Sequence, residues 1–149
     1  MQLRPNSKYQ IITPTSMGVR IIPKDRQPVH VSRDYTMFAT SAESNVLNVA
    51  ASLGMRTKVL TAFVKDSPIA DFIRAELRFR NIEYEGPEVP QGGAWGYRHQ
   101  FNIADSGYGM RGARVLNDRA GEVGRLAHIG AGDDPAHAVR PGEQFPGDA

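Results

Sequence analysis

Apolar residues recur at helical spacing between positions 41 and 53. Val46, Val49, Ala50 and Leu53 fall at i, i+3, i+4 and i+7, which places them on one face of a helix. The pattern therefore predicts a first helix over residues 41–53 that buries this face.

Residues at the two ends of that segment have the chemistry of helix caps. Thr40, with Glu43 three residues later, predicts a capping box, and Gly54 suits the first position past a helix. The helix is therefore expected to begin directly after Thr40 and to end before Gly54.

A second helix is predicted between residues 67 and 80. Ser67 is the expected N-cap, and Pro68 would occupy the first helical position, where its missing N–H costs nothing. Four apolar residues predict the buried face of this helix: Ile69, Phe72, Ile73 and Leu77.

Short apolar runs bounded by turn residues predict strands on both sides of the helices. The predicted strands cover residues 8–12, 18–22, 29–31, 35–39, 58–64, 82–84, 95–103 and 114–117. Strands and helices alternate over the central part of the chain, which predicts right-handed crossovers and a parallel sheet. The fold class is therefore α/β. The later strands lie between turns rich in glycine and proline, which is typical of a β-rich insertion.

Composition excludes several classes of protein. The chain has 149 residues, 40% hydrophobic and 23% charged, which is ordinary for one globular domain. A net charge of +2 is too small to indicate nucleic-acid binding, and no apolar run is long enough to predict a membrane span. The absence of cysteine excludes disulfides and is typical of a cytoplasmic protein. The four histidines lack the spacing of metal ligands, so no metal site is predicted.

Two motifs carry a resemblance to a known family. Ala42-Glu43-Ser44-Asn45 opens the first helix, and Asp118-Arg119-Ala120-Gly121 follows the last predicted strand. With the order of elements over residues 9–124, they resemble the N-terminal part of a PfkB (ribokinase-like) carbohydrate kinase, most like the 2-keto-3-deoxygluconate kinase branch. The resemblance implies a partial ribokinase-like parallel sheet with flanking helices in residues 1–125 and a β-rich lid insertion at about 82–118. Residues 126–149 would form an irregular tail that the family does not share.

The resemblance also implies which residues bind substrate. Asn45 would bind a sugar hydroxyl, and Arg119 would pair with the carboxylate of a sugar acid. Ser41 stands where the family has a glycine beside the substrate, so its β-carbon changes the shape of the pocket. Tyr97 would be an aromatic wall of the site. Other interpretations remain open: Asn45 as a partner of the helix backbone, Arg119 as a surface arginine and Tyr97 as a core residue.

The sequence Gly130-Ala131-Gly132-Asp133 matches the catalytic motif of the family. In the family its backbone amides bind an anion, and the aspartate deprotonates the sugar hydroxyl. Here the motif comes early in the chain, and the apolar helix that should follow it is replaced by a short segment containing proline. Catalytic residues are therefore left unassigned, with Asp133 as the one candidate.

The parent activity implied by the resemblance is transfer of a phosphoryl group from ATP, with Mg²⁺, to a sugar such as 2-keto-3-deoxygluconate. This chain would supply part of the acceptor-sugar site, bind neither ATP nor Mg²⁺ itself, and be inactive in isolation. The alternative is a non-catalytic module that binds a sugar or forms a homodimer through the β-rich insertion. A third interpretation is an interrupted gene, in which residues after about 125 encode nothing selected.

Overall fold

A computed structural model describes residues 6–126 of the chain. The strands are β1 (Ile11–Pro14), β2 (Gly18–Pro23), β3 (Tyr35–Thr40), β4 (Thr57–Leu60), β5 (Phe63–Val64), β6 (Ile82–Glu85), β7 (Glu88–Val89), β8 (Gln100–Asp105) and β9 (Arg114–Asp118). The helices are α1 (Ala42–Ser52) and α2 (Pro68–Phe79), with a short 3-10 turn at Lys24–Arg26. The predicted tail lies outside the described residues except for its first position.

A parallel sheet forms the body of the fold. Its strand order is β1-β4-β6, and both ladders are parallel. α1 packs against all three of these strands, and α2 packs against β6 and against β2 and β3 of a second sheet. The predicted α/β class with a parallel sheet and flanking helices is confirmed. β6, at the start of the predicted insertion, is a strand of this sheet.

The start of α1 differs from the prediction by one residue. Ser41 is the N-cap: its hydroxyl oxygen accepts from Ser44 N at 2.9 Å, and Ser44 Oγ accepts from Ser41 N at 3.1 Å. Thr40 is instead the last residue of β3, and Glu43 accepts a hydrogen bond from Thr15 Oγ1 at 2.6 Å. The predicted capping box of Thr40 and Glu43 is wrong, and a capping box formed by Ser41 and Ser44 stands one residue later.

The predicted buried face of α1 is wrong except at Ala50. Val46, Val49 and Leu53 are 62%, 61% and 72% exposed, whereas Leu47 is fully buried with Ala50 beside it. α1 carries two apolar rows, and helical spacing alone cannot tell which of them meets the sheet. Contact with the parallel sheet selects the row that contains Leu47.

The prediction for α2 is confirmed. Ser67 Oγ accepts from Ala70 N at the start of the helix, and Pro68 is the first helical residue. Ile73 and Leu77 are fully buried in the core cluster, and Ile69 and Phe72 pack against its margin. Local signals were sufficient here because caps and apolar stripe all agree.

Four predicted strands differ from those observed. The strand predicted at 8–12 runs over Ile11–Pro14, and residues 29–31 form a turn. The strand predicted at 58–64 is divided into β4 and β5, because β5 leaves the body sheet to pair with β7. The strand predicted at 95–103 begins only at Gln100, after a turn at residues 93–96 that leaves Trp95 in solvent.

A mixed sheet of order β3-β2-β8-β9 stands beside the body. β2 pairs antiparallel with β3 and parallel with β8, and β8 pairs antiparallel with β9. Residues directly opposite each other share a face of a sheet. One face therefore carries a polar row, defined as Arg20, Asn102 and Asn117. The other carries an apolar row, defined as Met37, Ile21, Ile103 and Leu116.

Candidate functional site

A cleft of about 220 Å³ lies between the N-terminus of α1 and the polar face of the mixed sheet. Its lining consists of Arg20, Thr40, Ser41, Ala42, Gln100, Asn102, Asn117 and Arg119. This volume is below the range of about 300–1,000 Å³ typical of small-molecule pockets, so the cleft suits only a small metabolite. The lining residues are nearly all polar, and two of them are arginines.

The floor of the cleft contains buried polar groups without partners. Gln100 is buried and donates from Nε2 to Ser16 O at 3.3 Å. Asn102 is 5% exposed, and its Oδ1 has no hydrogen-bond partner among the described residues. Arg20 Nε is likewise buried and without a partner within residues 6–126. Buried polar atoms are nearly always paired, so these two atoms require an explanation.

The start of α1 contributes a positive electrostatic potential. Ser41 is buried, and its hydroxyl oxygen is occupied by the capping bond to Ser44 N. The first turn of a helix carries backbone N–H groups and a partial positive charge, which favours an anion nearby.

Arg119 stands at the rim of the cleft and is held by a buried carboxylate. Its Nε donates to Glu122 Oε2 at 3.0 Å, and its Nη2 lies 3.4 Å from Oε1. Ser16 Oγ donates to the same carboxylate. The Arg119 side chain is 61% exposed, whereas that of Glu122 is only 4% exposed. The arginine is therefore positioned by Glu122 while its outer edge faces solvent.

Arg119 also borders a second cleft, of about 370 Å³. Ser16, Glu122 and Arg125 complete the lining of that cleft within the described part of the chain. The Arg119 side chain therefore lies between the two clefts.

The turn that carries Arg119 is anchored on both sides. Arg98 Nη2 donates to both oxygens of Asp118 at 2.9 and 3.0 Å, and its Nε donates to Ala120 O at 2.7 Å. Gly121 has φ of +62°, and a β-carbon there would lie 2.8 Å from Gly96 O. Only glycine fits this position, so the turn has a fixed shape.

The structure brings together two of the predicted substrate residues. Ser41 and Arg119 both line the cleft. Asn45 is exposed on α1 and is not part of the lining, and Tyr97 packs in a small apolar cluster with Val64 and Val123. Asp133 lies outside the described residues.

Arg20, Gln100 and Asn102 were not predicted from the sequence as site residues. The sequence did contain one signal for this site. Gln100 and Asn102 are polar residues two apart in β8, and Arg20 lies on the same face of β2. Alternate residues of a strand share a face, so Gln100 and Asn102 had to lie together. What they would face depends on pairing with a strand about 80 residues earlier.

His99 lies directly before β8 and is hydrogen-bonded to the residue before β2 and to β5. Its ring is buried, with Nδ1 at 3.0 Å from Met17 O and Nε2 accepting from Val64 N at 3.3 Å. Burial lowers the pKa of His99, and the charge of Arg74 lowers it further, although the hydrogen bond to Met17 opposes this. His99 is therefore a neutral structural residue at neutral pH.

Residues 6–126 lack two kinds of feature. Those residues contain no group of three or more histidine, cysteine or acidic side chains placed to hold a metal ion. They also contain no helix with the length and apolar character that crossing a membrane requires.

Solved structures of carbohydrate kinases match the fold. A 2-dehydro-3-deoxygluconokinase from Thermotoga maritima matches with a TM-score of 0.67 and 20% identity over 76% of this chain. A PfkB family carbohydrate kinase from Listeria grayi matches with a TM-score of 0.66 and 19% identity over 76% of this chain. A sugar kinase from Pyrococcus horikoshii, in complex with ATP, matches with a TM-score of 0.63 and 12% identity over 76% of this chain.

These matches establish the fold as part of the ribokinase-like architecture. They cover 33%, 33% and 35% of the three solved chains, so this chain spans about a third of their length. No protein-family profile and no curated relative matches the sequence.

Proposed function

We propose that the cleft at the start of α1 is the acceptor-sugar part of a sugar-kinase site and that its ligand is a sugar acid. The proposal rests on one observation: Ser41, Arg119 and the polar row of the mixed sheet line the same cleft. The helix start and the arginine provide positive charge, while the amides of the floor offer donors and acceptors for hydroxyl groups.

The charges around the cleft favour a ligand with one negative charge. Arg20 and Arg119 contribute two positive charges, and Glu122, which pairs with Arg119, removes one. One unit of positive charge remains, to which the start of α1 adds. A planar guanidinium binds a carboxylate well, so we assign the ligand carboxylate to the outer edge of Arg119. The match to a protein named 2-dehydro-3-deoxygluconokinase supports this choice of ligand.

We infer that phosphoryl transfer needs more of the fold than this chain supplies. The matched region is about a third of the related structures, one of which is described in complex with ATP. In a complete kinase, ATP and Mg²⁺ would provide the phosphoryl group and balance its charge. We therefore expect this chain to bind a sugar acid, in the cytoplasm, without turning over ATP.

Calorimetric titration tests the proposal directly. The chain is expected to bind 2-keto-3-deoxygluconate or D-gluconate more tightly than D-ribose, and Arg119→Met should weaken binding of the acids about tenfold or more. Arg33→Met, at an exposed arginine outside the cleft, serves as the matched control. Equal binding of acids and ribose would contradict the acid specificity. Release of ADP that depends on the sugar acid, from chain of verified mass, would contradict the binding-only role.

A second candidate function is dimerisation through the apolar row. Met37 and Leu116, at the two ends of this row, are 37% and 62% exposed. The row lies on the face of the mixed sheet opposite to the cleft, so dimerisation would leave the cleft open. A continuous apolar row across four strands is an expected site of association with a second copy. Light scattering at several concentrations tests it, and a monomer throughout would exclude it.

A further inference from the structure

We propose that Arg20, rather than Arg119, supplies most of the affinity of the cleft for the carboxylate of its ligand. The inference rests on the proposed function of the cleft and names a specificity-determining residue that neither sequence motif contains. Three observations support it: Arg20 lacks a counter-ion in residues 6–126, the groups beside it are hydrogen-bond donors, and Arg119 is already paired.

Arg20 is a half-buried cation without a negative partner in the described part of the chain. Within residues 6–126 its side chain makes no hydrogen bond and no ion pair. Its Nε is enclosed by protein, whereas Nη1 and Nη2 remain accessible. A charged side chain that is partly removed from water is normally paired. Since Arg20 lines the cleft, the partner that fits there is an anionic group of the ligand.

The groups beside Arg20 present donors to the cleft. Asn102 lies directly opposite Arg20 in the ladder between β2 and β8, and its Oδ1 is enclosed, which leaves its NH2 group to face the cleft. No carboxylate is among the described residues that line the cleft. The start of α1 adds a positive potential. An ionised carboxylate only accepts hydrogen bonds, so it satisfies this set of donors and the charge together.

Arg119 is less able to attract the carboxylate. Its Nε and Nη2 lie 3.0 and 3.4 Å from the oxygens of Glu122, and the charge of Glu122 balances its own. Its side chain is also 61% exposed, and solvent screens the attraction of an exposed charge for a ligand. The outer edge of Arg119 can still donate a hydrogen bond, while Arg20 contributes the charge that nothing else balances.

One carboxylate can lie between the two arginines. β8 pairs with both β2 and β9, so Arg20 and Asn117 stand on either side of Asn102 with their backbones about 10 Å apart. Arg119 follows two residues after Asn117, and both arginines line the same cleft. A carboxylate above Asn102 would therefore have Arg20 on one side and the outer edge of Arg119 at the rim, which agrees with a ligand of one negative charge.

Titration of matched variants ranks the two arginines. We would titrate Arg20→Met, Arg20→Lys and Arg119→Met with 2-keto-3-deoxygluconate, D-gluconate and pyruvate. Arg20→Met is expected to weaken binding of the sugar acids about thirtyfold or more, and by more than Arg119→Met does, because it removes the charge that has no other partner. Arg20→Lys keeps the charge without the planar guanidinium, so it should lose less affinity than Arg20→Met. Arg33→Met, at an exposed arginine outside the cleft, is the matched control.

Thermal melts separate a binding role from a structural one. Arg20→Met removes a half-buried charge that lacks a partner in residues 6–126, so the free variant should melt at the same or a higher temperature than the unsubstituted chain. A lower melting temperature together with weaker binding would assign Arg20 a structural role and overturn the inference.

The remaining outcomes distinguish this inference from the proposed function. If the sugar acids bind but Arg20→Met weakens their binding no more than Arg119→Met does, the inference is overturned and the proposed function stands. If pyruvate binds and neither sugar acid does, the sugar-acid proposal is refuted, yet the inference stands provided that Arg20→Met weakens pyruvate binding more than Arg119→Met does. Failure of the unsubstituted chain to bind any of the three compounds would overturn both.

Discussion

Lowering the pH from 7.5 to 5.5 is expected to destabilise the chain through His99. The buried ring donates from Nδ1 to Met17 O and accepts from Val64 N at Nε2, so it is held in the neutral form. Protonation would place a hydrogen on Nε2, where it would face the backbone N–H of Val64. The buried imidazolium would also lie in the field of Arg74, which already lowers the pKa of His99.

The size of the effect follows from the difference in proton binding between the two states. The unfolded chain has a His99 pKa near 6.5, whereas burial lowers the pKa in the folded chain. Well above pH 6.5 both states are neutral at this ring, so its contribution to stability is complete. Below it the unfolded chain binds a proton that the folded chain does not, so the free energy of unfolding falls. The loss reaches up to about 1.4 kcal/mol at pH 5.5, which is large for a domain stabilised by about 5–15 kcal/mol.

Urea denaturation at several pH values between 5.5 and 7.5 measures this loss. Carboxylates titrate mainly below this range, so the slope reports histidine. The matched pair of variants is His99→Gln, which should remove the slope, and His30→Gln, at an exposed histidine, which should retain it. His99→Gln is also expected to be less stable at pH 7.5 by about 1–3 kcal/mol, because its hydrogen bonds are reproduced imperfectly. A free energy of unfolding that stays constant from pH 7.5 to 5.5 would show that His99 is not held neutral by the fold.

Three further predictions concern the turn, the first helix and the apolar row. Gly121→Ala should lower the free energy of unfolding by about 2 kcal/mol or more, because the substitution adds a backbone clash to an unfavourable positive φ. Gly109 has φ of +58° and open space around it, so Gly109→Ala should cost only about 1 kcal/mol. Equal losses in urea denaturation would argue against the clash. Leu47→Ala should cost about 2–5 kcal/mol and Val49→Ala less than about 0.5 kcal/mol, and the reverse order would show that the other face of α1 is buried. Leu116→Asp should convert any dimer seen by light scattering to monomer while the melt of the monomer is retained, and a dimer that survives would exclude the apolar row as its interface.

The sequence predicted correctly those elements whose caps and apolar spacing lie within a few residues of each other. α2 is the clearest case, because Ser67, Pro68 and the stripe ending at Leu77 agree on its start and its buried face. The α/β class and the motif that carries Arg119 were also available from the sequence. In α2, neighbouring residues provide the energy that selects the conformation.

Pairing between distant segments decided the rest. The choice between two apolar rows on α1 depended on which row met β1, β4 and β6, so Leu47 was buried and Val49 was not. The division of the strand predicted at 58–64 depended on β7, which lies more than 20 residues further along the chain. Side-chain periodicity records that a face is apolar or polar, but not what that face will contact.

The candidate site divides in the same way. Local sequence patterns predicted a helix that begins beside Ser41 and the motif that carries Arg119. Only the tertiary structure placed Arg20 opposite Asn102, because their ladder joins strands about 80 residues apart. It also placed Asn45 outside the cleft and Tyr97 in an apolar cluster. A binding site combines side chains from separate elements. Strand pairing and core packing, rather than local sequence, decide which side chains lie together.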